Sequence, residues 1–287
     1  MVLRKSCFGA ANKFICVAIL CLLLALTTAD NLKPAVKIGI VDYVHNGLDW
    51  TEGFCATGMK QTPIHIHEVD SLVERDSEAY GKLADVPKAT LEYEHNKLMV
   101  EYSDGEFHLK HSDGETEWKS LQFHFHSPAD HHIDHNHYDV EFHIVFQNVK
   151  DSSKYLGTGI FFQRDWRTKE RNEFLDSLNL DDITEGMHSR DIKLSGLLDR
   201  FIGTRVYNYE GSLSIPPCTE NVEWIVFDKP IRVPDEQINP FLKMWSYNKK
   251  FAKGRGTNRV FQDRNDRPIH YFNYGQGVKT EAENEDL

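Results

Sequence analysis

The sequence predicts a mixed α/β, mostly β single domain, and three observations carry that reading. Segment after segment alternates apolar and polar residues with the two-residue period of a strand. Helical periodicity is confined to a few short stretches. No internal repeat or Pro/Ser-rich linker divides the chain, whose 287 residues are 40% hydrophobic and 11% aromatic, enough for one sizeable core.

Residues 1–29 stand apart from the rest. They carry Arg4, Lys5 and Lys13 and no acid, then an unbroken apolar run over 14–26, then small residues ending at Ala29. That run is shorter than the about 20 residues needed to span a bilayer and suits a secretory h-region. The expectation is a signal peptide over 1–29, a secreted or secretory-lumen protein, and no stable membrane insertion after its removal. A short signal anchor is the alternative. Strand-like alternation follows at 64–67, 91–94, 97–102, 106–109, 121–126 and 140–146, with core strands at 157–163 and 224–227. Helical patterns cover 171–178, 192–198 and 239–251, and Asp104-Gly105 and Asp113-Gly114 mark turns. Residues 276–287, ending Glu283-Asn284-Glu285-Asp286-Leu287, read as an acidic, disordered tail.

The chemistry concentrates in Gln122-Phe123-His124-Phe125-His126 and in Glu141-Phe142-His143. On a strand, His124 and His126 share one face, and Glu141 and His143 share one face of the next. Two such strands side by side can aim three imidazoles at one point. Three histidines with a fourth position open form a catalytic zinc arrangement, because structural sites close all four. Gln122 and Glu141 each stand two residues before a ligand, placed to hold its other ring nitrogen. Three neutral ligands leave Zn2+ its full charge, which lowers the pKa of bound water to about 7.

These motifs resemble the α-class carbonic anhydrases. So do Asn46-Gly47 through Trp50, Gln61-Thr62-Pro63-Ile64, the 211–217 run Gly-Ser-Leu-Ser-Ile-Pro-Pro, Glu223-Trp224-Ile225-Val226 and Asp266-Arg267-Pro268. They fall in family order over roughly 40–275, so residues 30–275 are read as the catalytic domain. The resemblance implies a large, twisted, mainly antiparallel sheet of about ten strands, with Zn2+ at the bottom of a conical cleft. It implies reversible hydration of carbon dioxide to bicarbonate and a proton. It places Val145, Gly157, Leu213, Val222 and Trp224 on the substrate wall, and Ser214 with Asp130 as the catalytic hydroxyl and the carboxylate that orients it.

Three departures from the family pattern stand out. Ser214 and Asp130 replace a threonine and a glutamate, and the shorter aspartate can misplace a contact by about 1 Å, which can cost on the order of 10²-fold. Gly157 replaces a branched apolar residue and is expected to widen the mouth or let water in, while Ile215 makes the opposite wall more apolar. The proton-shuttle position falls on Asn96, with His95 beside it as the nearest candidate shuttle. The remaining histidines read otherwise: His132, His135 and His137 as a solvated hairpin, His131 as a structural partner near Tyr209, and His65-x-His67 as a non-ligand pair lacking a second strand.

Removing 1–29 leaves Cys55 and Cys218, and two cysteines in a secreted domain read as one disulfide. The resemblance places family cysteines at both positions. Such a bridge stabilises by roughly 3–5 kcal/mol in the chain-entropy picture. Losing three cations takes the formal net charge from −11 to −14, and this acidity excludes nucleic acid as an expected partner. Two other functions compete with carbon dioxide hydration. One is a non-catalytic or weakly active binding relative on the same scaffold, and the other a zinc esterase.

Overall fold

The computed structural model describes residues 39–67 and 72–275. The expected signal segment and the acidic tail lie outside the described residues. In chain order the strands are β1 (His65–Ile66), β2 (Leu72–Glu74), β3 (Glu78–Lys82), β4 (Val86–Glu94), β5 (Lys97–Glu101), β6 (Glu106–His111), β7 (Gly114–His126), β8 (His132–Ile133), β9 (Val140–Asn148) and β10 (Tyr155–Arg164). After helix α1 (Glu173–Leu178) come β11 (Gly186–Ile192), β12 (Arg205–Gly211), β13 (Val222–Phe227) and β14 (Ile231–Val233), then α2 (Asp235–Met244) and β15 (Ile269–Asn273).

One sheet of 13 strands dominates. Its continuous path runs β11-β4-β5-β7-β9-β10-β13-β12-β15-β2, with β14, β3 and β6 branching from it. The pairings are mainly antiparallel; β10 with β13, β10 with β14 and β15 with β2 are parallel. The expected sheet of about ten strands is therefore present as the main path. β2, β3 and β14 are five residues or shorter, too brief for alternation to show.

The helical expectations fare unevenly. The pattern at 171–178 becomes α1, whose start is fixed by Asn172 Oδ1 accepting from the Leu175 amide at 3.1 Å. The pattern at 239–251 shifts to Asp235–Met244. That at 192–198 is corrected: Ile192 ends β11, and the following turn leads into a short 3-10 segment, Asp199–Phe201. Leu194, Leu197 and Leu198 are buried there, so burial without a helix supplied the periodic signal.

A one-residue bulge decides which face carries the chemistry. β7 pairs Ser120 with Phe146 and then Gln122 with Val145, so Leu121 is the extra residue. Because the side-chain period is two, this insertion reverses the alternation. Trp118 faces the hydrophobic core, whereas Gln122, His124 and His126 face the opposite side. On the core face Phe123, Phe125 and Phe142 pack against Phe174 of α1, with Phe142 and Phe174 at 4.8 Å between ring centroids, and Phe125 meets Phe241 of α2 at 5.1 Å. Each such ring contributes roughly 1.5–3 kcal/mol by burial. Both helices thus lie on the core side, which leaves the histidine side to form a cleft floor.

Candidate metal centre

His124 of β7 lies directly across from His143 of β9, and His126 across from Glu141. The three imidazoles stand 5.1, 5.1 and 4.8 Å apart by ring centroid, at steep mutual angles. All three are buried. Each ring donates one N–H to a group that accepts. His124 Nδ1 donates to Gln122 Oε1 at 2.8 Å, His126 Nδ1 to the Thr257 carbonyl at 2.7 Å, and His143 Nε2 to Glu141 Oε1 at 2.8 Å. These bonds fix the tautomers and leave lone pairs on His124 Nε2, His126 Nε2 and His143 Nδ1. The last two are buried with no hydrogen-bond partner among the described residues.

Burial, followed by the neighbouring imidazoles His126 and His143, holds His124 well below the ordinary histidine pKa. Burial likewise lowers His143, against the opposing pull of Glu141. His124 and His143 are therefore neutral, and all three rings are oriented to ligate. Their facing atoms lie within 4.8 Å of one another, and this donor set suits a borderline divalent ion such as zinc with one position left open. Orphaned buried nitrogens are costly unless something binds them, so the residues fit a metal.

Behind the ligands runs a directed hydrogen-bond chain. Glu141 Oε1 accepts from both His143 and His131 Nδ1 at 2.7 Å, and Oε2 accepts from the His131 amide at 2.7 Å. Burial alone would raise the Glu141 pKa, but His131 and His143 together hold it well below the carboxylate range. His131 Nε2 accepts from Tyr209 Oη at 2.6 Å, the contact expected for that histidine, and Tyr209 Oη meets Thr62 Oγ1 at 3.1 Å. His131, Glu141 and His143 also lie close enough to share an ion, yet their facing atoms are joined to each other by protons.

The other expected site residues take distinct places. Asp130 Oδ1 accepts from the Arg259 amide at 2.7 Å. Its Oδ2 is buried, has no hydrogen-bond partner among the described residues, and lies 3.6 Å from His126 Nε2. Among the described residues no hydrogen bond joins Ser214 to Asp130. Ser214 is buried in the loop that the Cys55–Cys218 disulfide closes. Val145, Gly157 and Trp224 sit side by side across β9, β10 and β13, and the Trp224 ring is 4.9 Å from His143. Val222 is buried at the start of β13 and Leu213 half-buried beside the Ser214 loop.

Two family-based expectations change here. Gly157 does not open a wider mouth: a Cβ placed there would lie 3.0 Å from the Trp224 ring, so the indole occupies the space. Ile215 belongs to the hydrophobic core rather than to a cleft wall. His95 is exposed at the tip between β4 and β5, with its ring 5.0 Å from Phe251 and its carbonyl accepting from Trp245 Nε1. Asn96 is buried and receives the Val41 amide at 3.0 Å.

With this geometry stand the likenesses to known proteins. A family model described as eukaryotic-type carbonic anhydrase matches residues 45–273. The chain belongs to the α-class carbonic anhydrase family. It is 28% identical over 224 residues to alpha carbonic anhydrase 4 of Arabidopsis thaliana, covering 76% of this chain and 77% of that protein. It is 30% identical over 201 residues to a carbonic anhydrase of a Nostoc strain, covering 68% and 72%. A carbonic anhydrase from Chlamydomonas reinhardtii, solved with acetazolamide, superposes with TM-score 0.66 and 27% identity over 83% of this chain and 99% of that one. Family membership makes the chain a lyase of the carbonate dehydratase type.

Four contributors to this carbonic anhydrase centre were not read from the sequence. The Thr257 carbonyl that orients His126 is one, since every residue carries a carbonyl. The Thr257 hydroxyl also accepts from the Ser127 amide at 3.0 Å. Gly256, at φ +86, lets that segment approach: a Cβ there would lie 2.2 Å from the Ser127 carbonyl oxygen. Gly159 is the third, because a Cβ would sit 2.5 Å from Glu141 Oε1. Arg259 is the fourth. Besides its amide bond to Asp130, its guanidinium donates to Gln61 Oε1, the Thr62 carbonyl and the Cys55 carbonyl, and burial lowers its pKa to about 10.

Proposed function

We propose that the protein is a zinc enzyme that hydrates carbon dioxide reversibly to bicarbonate and a proton, with His124, His126 and His143 holding the ion. The convergence of three ring nitrogens that carry no proton in the tautomers set by their acceptors, two of them buried without partners among the described residues, carries this reading. Zinc bound there would supply a Lewis acid and a hydroxide nucleophile near neutral pH. Gln122, Glu141 and the Thr257 carbonyl keep the three rings in the ligating tautomer. Val145, Leu213, Val222 and Trp224 offer carbon dioxide an apolar wall against His143. Ser214 is suited to accept a hydrogen bond from a group in the cleft while donating its own hydroxyl to a carboxylate, the role read for Asp130. The released proton must leave the cleft, and His95 is the histidine nearest the expected shuttle position.

The missing Ser214–Asp130 hydrogen bond favours one second reading, a weakly active or binding relative on the same scaffold. Carbon dioxide hydration and ester hydrolysis measured on the same zinc-loaded protein separate the cases. Hydration well above ester cleavage supports the proposal, ester cleavage alone supports a zinc esterase, and neither activity supports the binding relative. The Cys55–Cys218 disulfide and the apolar leader support a secretory-lumen location. Among the described residues no helix is long and apolar enough to cross a membrane. Intact-mass analysis of native protein that recovered residues 1–29 would overturn the cleaved-leader reading.

A further inference from the structure

A second histidine cluster lies outside the catalytic centre. The sequence reading of His65-x-His67 as a pair lacking a partner strand does not hold: β1 pairs with β8 in parallel, His65 opposite His132 and Ile66 opposite Ile133. His67 packs on His65 at 3.6 Å between centroids, His132 stands 5.6 Å from His65, and His137 packs on His132 at 3.9 Å. Phe261 lies against both central rings, at 5.4 and 5.5 Å. Four imidazoles thus form one row across a two-stranded sheet.

We infer that His65, His67, His132 and His137 form a second binding site for a divalent late first-row metal ion such as Ni2+, Cu2+ or Zn2+. His65 Nε2 donates to the Asp134 carbonyl and His137 Nε2 to the Ala129 carbonyl. A carbonyl can only accept, so Nε2 carries a proton in each ring, and in the neutral imidazole Nδ1 is the bare nitrogen. The same kind of contact, His126 to the Thr257 carbonyl, sets a ligand in the inner centre, and such carbonyl anchoring is the usual support of a metal-bound imidazole. Imidazole donors suit zinc, copper and nickel.

The inner centre supplies a yardstick for what the outer row must do. There the ring centroids are 4.8 to 5.1 Å apart and steeply inclined. The His65–His132 pair, at 5.6 Å and 68°, comes nearest to that arrangement, but no three of the outer rings bring ligand atoms within 4.8 Å of one another. The two outer pairs are closer and flatter, at 40° and 30°, and must unstack by side-chain rotation for His67 or His137 to complete the sphere. Binding is therefore expected to be weaker than at the inner centre, which needs no rearrangement.

The test is metal stoichiometry of zinc-loaded full-length protein dialysed against Ni2+ at neutral pH, with bound metals counted by mass spectrometry. Wild type should carry one zinc and one further ion. The double variant His65→Asn/His132→Asn should lose that further ion, and His67→Ala/His137→Ala, which spares the β1–β8 pairing residues, should weaken it at least tenfold. His135→Ala should retain it. His126→Ala should lose the inner ion and keep the outer one, so that failure of the proposed catalytic function and failure of this inference are told apart. Wild type that takes up no second ion, or both double variants binding Ni2+ as wild type does, would overturn the inference. Circular dichroism of each variant separates lost ligands from lost folding.

Discussion

The two histidine clusters use the same sequence device and reach different geometries. His124-x-His126 and His65-x-His67 both put two imidazoles side by side, and His124 and His65 each meet a histidine directly across on a neighbouring strand, His143 and His132. In the inner cluster every ring is held by its own acceptor, and the free nitrogens converge. In the outer row only His65 and His137 have a carbonyl acceptor among the described residues, and the rings stack on one another. What separates converged ligands from a stack is therefore an acceptor behind every ring: Gln122, Glu141 and the Thr257 carbonyl. The inner acceptors are themselves held, Glu141 by His131 and His131 by Tyr209.

The sharpest break in this comparison is His126→Ala. It should abolish both inner-site metal and carbon dioxide hydration, whereas replacing His132, His135 and His137 together should leave both nearly intact. Metal analysis beside a hydration assay checks this, and inner-site zinc persisting in His126→Ala would show that the wrong cluster has been assigned. Next come the supports. Glu141→Ala leaves His131 and His143 without their shared acceptor, and Gly159→Ala pushes a Cβ against that same carboxylate. Each should weaken zinc by roughly 10–100-fold, the usual scale for a lost outer-shell partner. Chelator competition reads this directly, and unchanged affinity in both variants would mean the acceptor does not tune the ligand.

Ser214→Ala and Asp130→Ala should each lose activity while keeping zinc, and the double variant should be little worse than either, as groups acting as one unit behave. Additive losses would uncouple them. A rise in turnover with Asp130→Glu would show that the short side chain is a handicap, consistent with the absent Ser214–Asp130 bond.

The outer row should respond to acid. His132 has its pKa lowered from the ordinary 6.5 to about 4 by burial, His137 and His65. Between those values the unfolded chain binds the proton and the folded chain does not, so stability rises with pH across that window. It is complete above about 6.5 and is lost as pH falls toward about 4. Amide exchange over β1 and β8 should quicken on acidification in wild type and lose that dependence in His132→Asn. Equal pH dependence in the two proteins would remove His132 as the cause.

The smallest expected effect is at His95. His95→Ala should slow turnover in dilute buffer and recover with added imidazole. Identical curves for the two proteins would assign proton release to buffer or another group, in keeping with the packing of this ring against Phe251.

The inner ligands were legible because a strand writes its face into every second residue, and Gln122 and Glu141 share that period. The disulfide was legible from a count of cysteines and a family likeness. Long strands such as β7 and β9 showed themselves, but β8, two residues long, could not, and without it His65 had no visible partner. The Leu121 bulge was hidden as well, since Ser120 and Gln122 look alike in a period-two reading while facing opposite sides. Thr257 and Gly159 act through a carbonyl and through a missing Cβ, neither of which a side-chain pattern displays. The 192–198 pattern misled because its leucines are buried in turns.

The most direct measurement is a zinc titration of metal-stripped protein, following carbon dioxide hydration against equivalents added, in wild type, His65→Asn/His132→Asn and His126→Ala. If the inner cluster is the catalytic centre, activity in the first two rises to a plateau at one equivalent, and His126→Ala stays at the uncatalysed rate throughout. Activity in His126→Ala that rises with added zinc, or a wild-type activity lost with the outer pair, would contradict it.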